Sequence, residues 1–267
     1  MMRPVRIPDD IRNYWSLSPL APASCEQVKH CYGLLTGEIP EVSVVIPAYN
    51  EEENIVKTLL SLCSNQTARC IEIIVVNNNS KDSTGALVTA CGIPCVLEPE
   101  QGITVARNRG LKEARGKYIL NADADTIYPA NWIEAMVAPL AGDQSVALTY
   151  GRFSFIPIGR TGRMTYYFYE HITDIVRGFH RAFREEAVNV YGFNSGFRQE
   201  QGRKVDGFNH PPGTNEDGWL ALKLRNNGFG RLCYVPAALV WTTDRRIQID
   251  GGLWKGTWKR IKRFFRR

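Results

Sequence analysis

Long apolar runs are what this 267-residue chain most lacks. The longest, residues 42–49, 71–76 and 234–241, fall far short of the roughly 20 apolar residues that carry a helix across a bilayer. No apolar core follows the early charges of MMRPVRIPDDIRNYW, so the start does not read as a signal peptide, and a cytoplasmic protein is expected. Paired cysteines are missing too. The 7 cysteines (Cys25, Cys31, Cys63, Cys70, Cys91, Cys95, Cys233) are an odd set without a CxxC. That argues against zinc spacing and a disulfide framework, and for reduced, buried thiols. Only 4 histidines occur, at 30, 171, 180 and 210, and they form no metal set. Positive charge is thin over most of the length. Of a net +6, residues 251–267 contribute seven basic and no acidic side chains, which leaves the remainder close to neutral. A nucleic-acid-binding domain spreads its charge over the body of the fold, so no nucleic-acid partner is expected.

At 44% hydrophobic and 22% charged, the chain has a globular composition, and its length suits one large domain. Residues 1–40 hold five prolines and little periodicity beyond a short helix near 25–35, so they read as an N-terminal extension. From Glu41 the pattern sharpens. VSVVIPA (42–48) is a continuous β-branched run, as a buried strand requires. Asn50 and Glu53 have capping-box spacing before a helix that buries Ile55, Leu59 and Leu62. Strands at IEIIVV (71–76), PCVL (94–97), KYIL (117–120) and SVALTY (145–150) alternate with helices near 83–91, 103–114 and 130–140. Such alternation gives βαβ units in an α/β fold: a mostly parallel, Rossmann-related sheet flanked by helices in a single domain. The rhythm breaks over 151–213, an aromatic and basic stretch. A helix at 216–226 and two short strands near Leu232 and Leu239 then close the domain. The expected organisation is a 1–40 extension, a 41–250 domain and a 251–267 basic helix.

Ligands of such sheets bind beyond the carboxyl ends of the strands, which directs attention to the loops PAYNEE, NNNSKDST, QG and NADADT. Asp123 and Asp125, two residues apart after KYIL, can hold a hard divalent cation that in turn binds a diphosphate; the plainer alternative is a solvated turn. Glu216 and Asp217 open a helix, where acidic side chains also simply suit the dipole. Beside a metal site, a carboxylate there can serve as general base. The aromatic run at 166–169 reads as core more than as a sugar platform, with one or two of its rings still able to line an acceptor site. In the tail, Trp254, Trp258, Ile261 and Phe265 share one helical face among basic residues. That pattern suits a helix lying on an anionic membrane surface, the alternative being a helix docked on its own domain.

Five segments in order, VVIPAYNEEENI, VVNNNSKDSTG, GITVARNRGL, YILNADADTIYPANW and GFNSGFRQEQGRKVDGF followed by NEDGWLALKLRNNGF, resemble glycosyltransferase family 2 over about residues 41–246. The resemblance implies a GT-A-like fold and an inverting, non-processive hexosyltransferase that uses Mg²⁺ or Mn²⁺ and a nucleotide-sugar donor. Residues 41–150 would bind the donor and 151–250 the acceptor, a glycan or a lipid-linked molecule, in cell-surface polysaccharide or glycolipid synthesis. It places Pro47, Tyr49, Glu51, Asn78, Arg107, Asp123 and Asn194 on the nucleotide sugar. Asp125, with Asp123, becomes the metal ligand, Asp217 the catalytic base and Glu216 its acceptor-orienting neighbour. Two departures stand out. Asn77-Asn78-Asn79-Ser80 replaces the usual acidic element, which favours a uridine donor. TTDRR (242–246) replaces a late histidine, leaving Asp244 or water to complete the metal shell, or Arg245 and Arg246 to neutralise the diphosphate. Alternatives are a polyprenyl-phosphate sugar transferase and a non-catalytic nucleotide-sugar-binding protein at the membrane. The 253–267 segment would place the protein on the inner face of the cytoplasmic membrane.

Overall fold

In the computed structural model, which describes residues 3–18, 21–249 and 251–253, the first elements are two helices, α1 (Asp9–Trp15) and α2 (Pro22–Leu35). Both belong to the stretch read as an extension, and both supply core. Ile11 of α1 packs with Ile127, Ile156 and Trp241, while Val28 and Tyr32 of α2 join the main apolar cluster. The Tyr32 hydroxyl also accepts from the Ile73 N–H.

β1 (Val42–Ala48) is buried at every position, as its continuous β-branched run demands. The chain alternates through α3 (Ile55–Cys63), β2 (Ile71–Asn77), α4 (Thr84–Ala90), β3 (Cys95–Leu97), α5 (Ile103–Glu113) and β4 (Tyr118–Asn121). These strands lie parallel in the order β3-β2-β1-β4. Strand order therefore reverses beside β1, the place where such sheets open a crevice for ligands. The capping box does not form. α3 starts only at Ile55, and Asn50 sits at φ 54° in a turn, where its side chain accepts from the Lys81 N–H at 2.8 Å. The amide is engaged in joining two loops, so it cannot cap.

The second half adds β5 (Thr126–Ile127), α6 (Trp132–Gly142), β6 (Val146–Ile156), α7 (Arg163–Phe183), β7 (Ser195–Arg198), α8 (Gln199–Lys204), α9 (Glu216–Asn226), β8 (Arg231–Thr243) and α10 (Arg245–Ile249). The eight-stranded sheet runs β3-β2-β1-β4-β7-β6-β8-β5. β7 is antiparallel to both neighbours, and β5 to β8; β6 and β8 are parallel. β6 runs on to Ile156, six residues past the expected end. The two short strands expected near Leu232 and Leu239 are one strand, β8, interrupted in register between Tyr150 and Arg152 of its partner. Pro236 cannot donate to a ladder, and the irregularity absorbs it.

All seven cysteines are free, and burial raises the thiols of Cys63 and Cys91 into an inert range. Among the described residues no helix is long and apolar enough to cross a membrane. The expected basic helix over 251–267 lies, from Trp254 onward, outside the described residues.

Candidate active site

A cavity of about 700 Å³ opens where β1, β2 and β8 end, within the range of small-molecule sites. The loop after β1 brings Tyr49 and Glu51 to its wall, and the loop after β4 brings Asp123 and Asp125. The start of α10 brings Arg245 and Arg246. Pro47 and Asn78 complete the set that sequence placed there. Tyr49 lines the cavity and is half-exposed.

Charge in this wall is densely paired. Arg245 bonds Glu51 through both terminal nitrogens and reaches Asp125 Oδ2 at 3.1 Å. Burial, reinforced by the Asp123 and Glu51 carboxylates and opposed by Arg245 and Arg246, pushes Asp125 up to about 6. The two arginines therefore offset only part of the negative charge. Among the described residues no group of three or more His, Cys, Asp or Glu could enclose a metal. A pair of carboxylates in excess negative charge still fits Mg²⁺ or Mn²⁺, which take hard oxygens and commonly use one or two carboxylates plus substrate phosphates.

The other expected residues sit behind the wall. Arg107, on α5, is buried between two carboxylates: its Nη2 donates to Asp123 Oδ1 at 3.0 Å and its Nε lies 3.5 Å from Asp217 Oδ1. It does not line the cavity, so its contact runs to Asp123. Asp217 and Glu216, in the first turn of α9, do not line it either. Asp217 lies under the 191–194 segment, where its Oδ2 accepts from the Gly192 N–H at 2.6 Å. Burial pushes its carboxyl up, to about 7, with Arg107 pulling against it and Glu216 and Asp123 adding to the rise.

Three residues have tasks that differ from those the resemblance implied. Asn194 is buried with both ends of its amide engaged: Nδ2 donates to the Arg152 and Ala238 carbonyls, and Oδ1 accepts from Trp132 Nε1. It fastens β6 to β8 and has no group left for a sugar. Asn78 lies on the cavity, but its Nδ2 donates to the Glu98 and Glu100 carbonyls and its Oδ1 accepts from the Gly102 N–H. It fixes the loop ahead of α5, and its donors are unavailable to a base. Asp244 is fully buried and accepts from the Ile158 N–H, the Tyr166 hydroxyl and Gln248 Nε2. It belongs to the packing of α7, not to a metal shell.

Sequence reasoning missed the other half of the cavity. Phe153 and Phe155 of β6, Tyr169 and Arg177 of α7, Tyr191 and Phe193 form an aromatic wall. The Arg177 guanidinium stacks on Phe153 at 4.6 Å and on Tyr191 at 5.0 Å. Arg3 also reaches this wall, held by Asp174 at 2.6 Å and by Glu170. The run at 166–169 is accordingly divided: Tyr166 is core, Tyr169 lines the cavity, and Phe168 faces outward at 59% exposure. The aromatic density of 151–193 was the available signal.

This fold, with its acidic crevice at the strand-order reversal, is that of the GT-A glycosyltransferases. The chain belongs to glycosyl transferase family 2, whose profile matches residues 43–201. The probable glycosyltransferase YdaM of Bacillus subtilis is 28% identical over 241 residues, covering 86% of this chain and 55% of that protein. The chain thus spans about half the length of the curated relatives it matches. Among solved structures, the mannosyltransferase PcManGT of Pyrobaculum calidifontis, in complex with GDP-Man and Mn²⁺, superposes with a TM-score of 0.57 at 21% identity, over 83% of this chain and 66% of that one. The glucosyl-3-phosphoglycerate synthase of Mycobacterium tuberculosis, in complex with Mn²⁺, UDP-glucose and phosphoglyceric acid, gives 0.54 at 20% identity, over 82% and 75%.

Proposed function

We propose that the protein moves one sugar, with inversion, from a nucleoside-diphosphate sugar to an acceptor hydroxyl. The observation that carries this reading is the meeting of Asp123, Asp125, Arg245 and Arg246 on one cavity at the strand-order reversal. Fold neighbours solved with GDP-Man and with UDP-glucose support a nucleotide-sugar donor. Uridine is favoured, because residues 77–80 present no carboxylate to the two donors of guanine. Pro47 and Tyr49 would pack on the base and Glu51 would face the ribose. Arg107 would hold Asp123 in place.

Asp125 and Asp123 would hold Mg²⁺ or Mn²⁺, which supplies charge neutralisation for the departing diphosphate. The acceptor oxygen attacks the anomeric carbon as the bond to the diphosphate breaks, and the electron pair leaves with the nucleotide. Asp217 Oδ1, which has no hydrogen-bond partner among the described residues, would take the acceptor proton, with Glu216 orienting the acceptor. For this the 191–194 segment must move off Asp217. The acceptor would be a glycan or a lipid-linked molecule of the cell envelope, met at an anionic membrane surface through 253–267. A phosphate acceptor, as on a polyprenyl carrier, is the second reading, favoured by Arg3 and Arg177 on the acceptor wall.

The test is nucleotide release from a panel of nucleotide sugars with Mn²⁺ and candidate acceptors. UDP release is expected, lost in Asp125→Ala and in excess EDTA. Full turnover in either would remove the metal from the reaction, and silence across the whole panel would sink the transfer itself.

A further inference from the structure

The outer face of α7 exposes large apolar side chains along its whole length. Met164, Phe168, Ile172, Ile175, Phe179 and Phe183 are between 48% and 74% exposed. At about 100° per residue these positions fall within a stripe about 100° wide, and at 1.5 Å per residue the stripe is roughly 29 Å long. No residue of the stripe is charged. The opposite face is built differently: Tyr166, Glu170 and Arg177 are buried there, and Tyr169 and Thr173 line the cavity. One helix therefore separates the proposed acceptor wall from an apolar surface of about 700 Å², taking about 200 Å² for each large side chain when fully exposed, and patches of that size mark an interaction.

We infer that this face of α7 lies in an anionic lipid surface and seats the cavity beside a lipid-borne acceptor; the second clause rests on the function proposed above. The course of the chain supports this occupant. Leu253 packs against Tyr166 of α7 with Phe155 and Ile247, so the segment that follows starts beside the helix. That segment carries Lys255, Lys259, Arg260, Lys262, Arg263, Arg266 and Arg267 and no acidic residue, the complement of anionic headgroups. An apolar face with adjoining basic charge is the pattern of interfacial binding. A second copy is the weaker occupant: two such stripes could bury about 1,400 Å², enough for a stable interface, but a second uncharged stripe offers nothing to complement the adjoining basic segment. The tail itself is weaker again. Residues 254–267 as a helix would span about 21 Å, and their cations would meet no carboxylate on the stripe.

Vesicle sedimentation of the full chain tests this, using phosphatidylglycerol mixed equally with phosphatidylcholine, and phosphatidylcholine alone. The parent is expected on the anionic vesicles and largely free of the neutral ones. Ile172→Glu combined with Ile175→Glu should weaken partition about tenfold or more with the tail intact. Its melting curve and its nucleotide release with a soluble acceptor should match the parent. Truncation after Leu253 should weaken partition separately. Parent protein that ignores anionic vesicles, a double variant that binds like the parent, or a parent dimer that the double variant dissolves would each overturn the assignment. Vesicle binding that obeys these expectations while every protein fails to release nucleotide would keep the lipid-facing helix and reject the acceptor clause.

Discussion

Gly192 is where one added carbon probes how the site is built. Its N–H donates to Asp217 Oδ2 at 2.6 Å, and a Cβ at this position would overlap Arg107 Nη2 and Asp217 Oδ1. Neither partner can withdraw. Both are buried, and Arg107 is also fastened to Asp123. Gly192→Ala therefore incurs an overpacking cost of about 1–3 kcal/mol. It also loses part of a hydrogen bond to a charged group, worth about 1.5–3 kcal/mol. One displacement causes both losses, so they do not add, and the expected total is about 2–4 kcal/mol. At roughly 2–4 °C per kcal/mol for a domain of this size, the melting temperature should fall by about 4–16 °C. Gly33→Ala is the control. Nothing lies within 4 Å of its added carbon and it sits inside α2, so it should be neutral or up to about 1 kcal/mol stabilising. Urea denaturation of both variants beside the parent makes the measurement. If Gly192→Ala unfolds with the parent, the Arg107–Asp217 pair is not packed beneath this segment and the geometry argued for the base fails.

Arg3→Ala removes the fork to Asp174 and one contact to Glu170, which Arg163 still neutralises, and should cost about 1–3 kcal/mol in a urea titration; an unchanged midpoint would make the N-terminal segment dispensable. Asp217→Asn keeps the shape but cannot take a proton, so donor binding should survive and transfer should fall by roughly 10²–10⁴. In the parent, transfer should decline as pH drops through about 7, because the base must be ionised to act. An identical pH profile in the variant would move the base elsewhere. The same raised carboxyl makes folded protein bind more protons than unfolded protein between the ordinary carboxylate range and about 7, so it lowers stability as pH rises through that window. Asp217→Asn should flatten that slope, which denaturant midpoints at acid and mildly alkaline pH will read.

The half built on β1 to β4 was legible because its determinants are local. A continuous β-branched run such as 42–48 has few homes other than a parallel strand, and the polar loops then fall at the carboxyl edge by topology alone. Asp123 and Asp125 could be placed on the cavity wall from that rule before any contact was known. The half built on β6 to β8 was not legible, since its determinants are long-range. Arg3 reaches Asp174 across 171 positions, and no window on the sequence joins them. Asn194 fails as a sugar contact for a related reason. Its amide is claimed by carbonyls of β6 and β8 that arrive from 42 residues before it and 44 after it. Capping failed at Asn50 because a bond to Lys81 competes for the same oxygen. Amphipathic period marked α7 as a helix but could not say that its apolar stripe faces outward, since periodicity fixes a face and not its neighbour.

The Arg3 clasp also sets an order of events during synthesis. Its guanidinium cannot reach its buried place until Glu170 and Asp174 have been translated. At roughly 5–20 residues per second, that interval is about 10–35 s, long beside the microseconds to milliseconds in which helices and hairpins form. β1 to β4 can pair within that time, because their partners are already present. A nascent chain stalled near residue 150 would thus hold the Asp123 and Asp125 loops on an assembled parallel sheet. The edge of β4 that β7 later covers would stand open, and the first residues would be unanchored. Exposed strand edges recruit other chains. The dangerous moment for this protein is therefore mid-synthesis; α7 emerges to receive Arg3, and the danger ends only when β7 follows and covers β4.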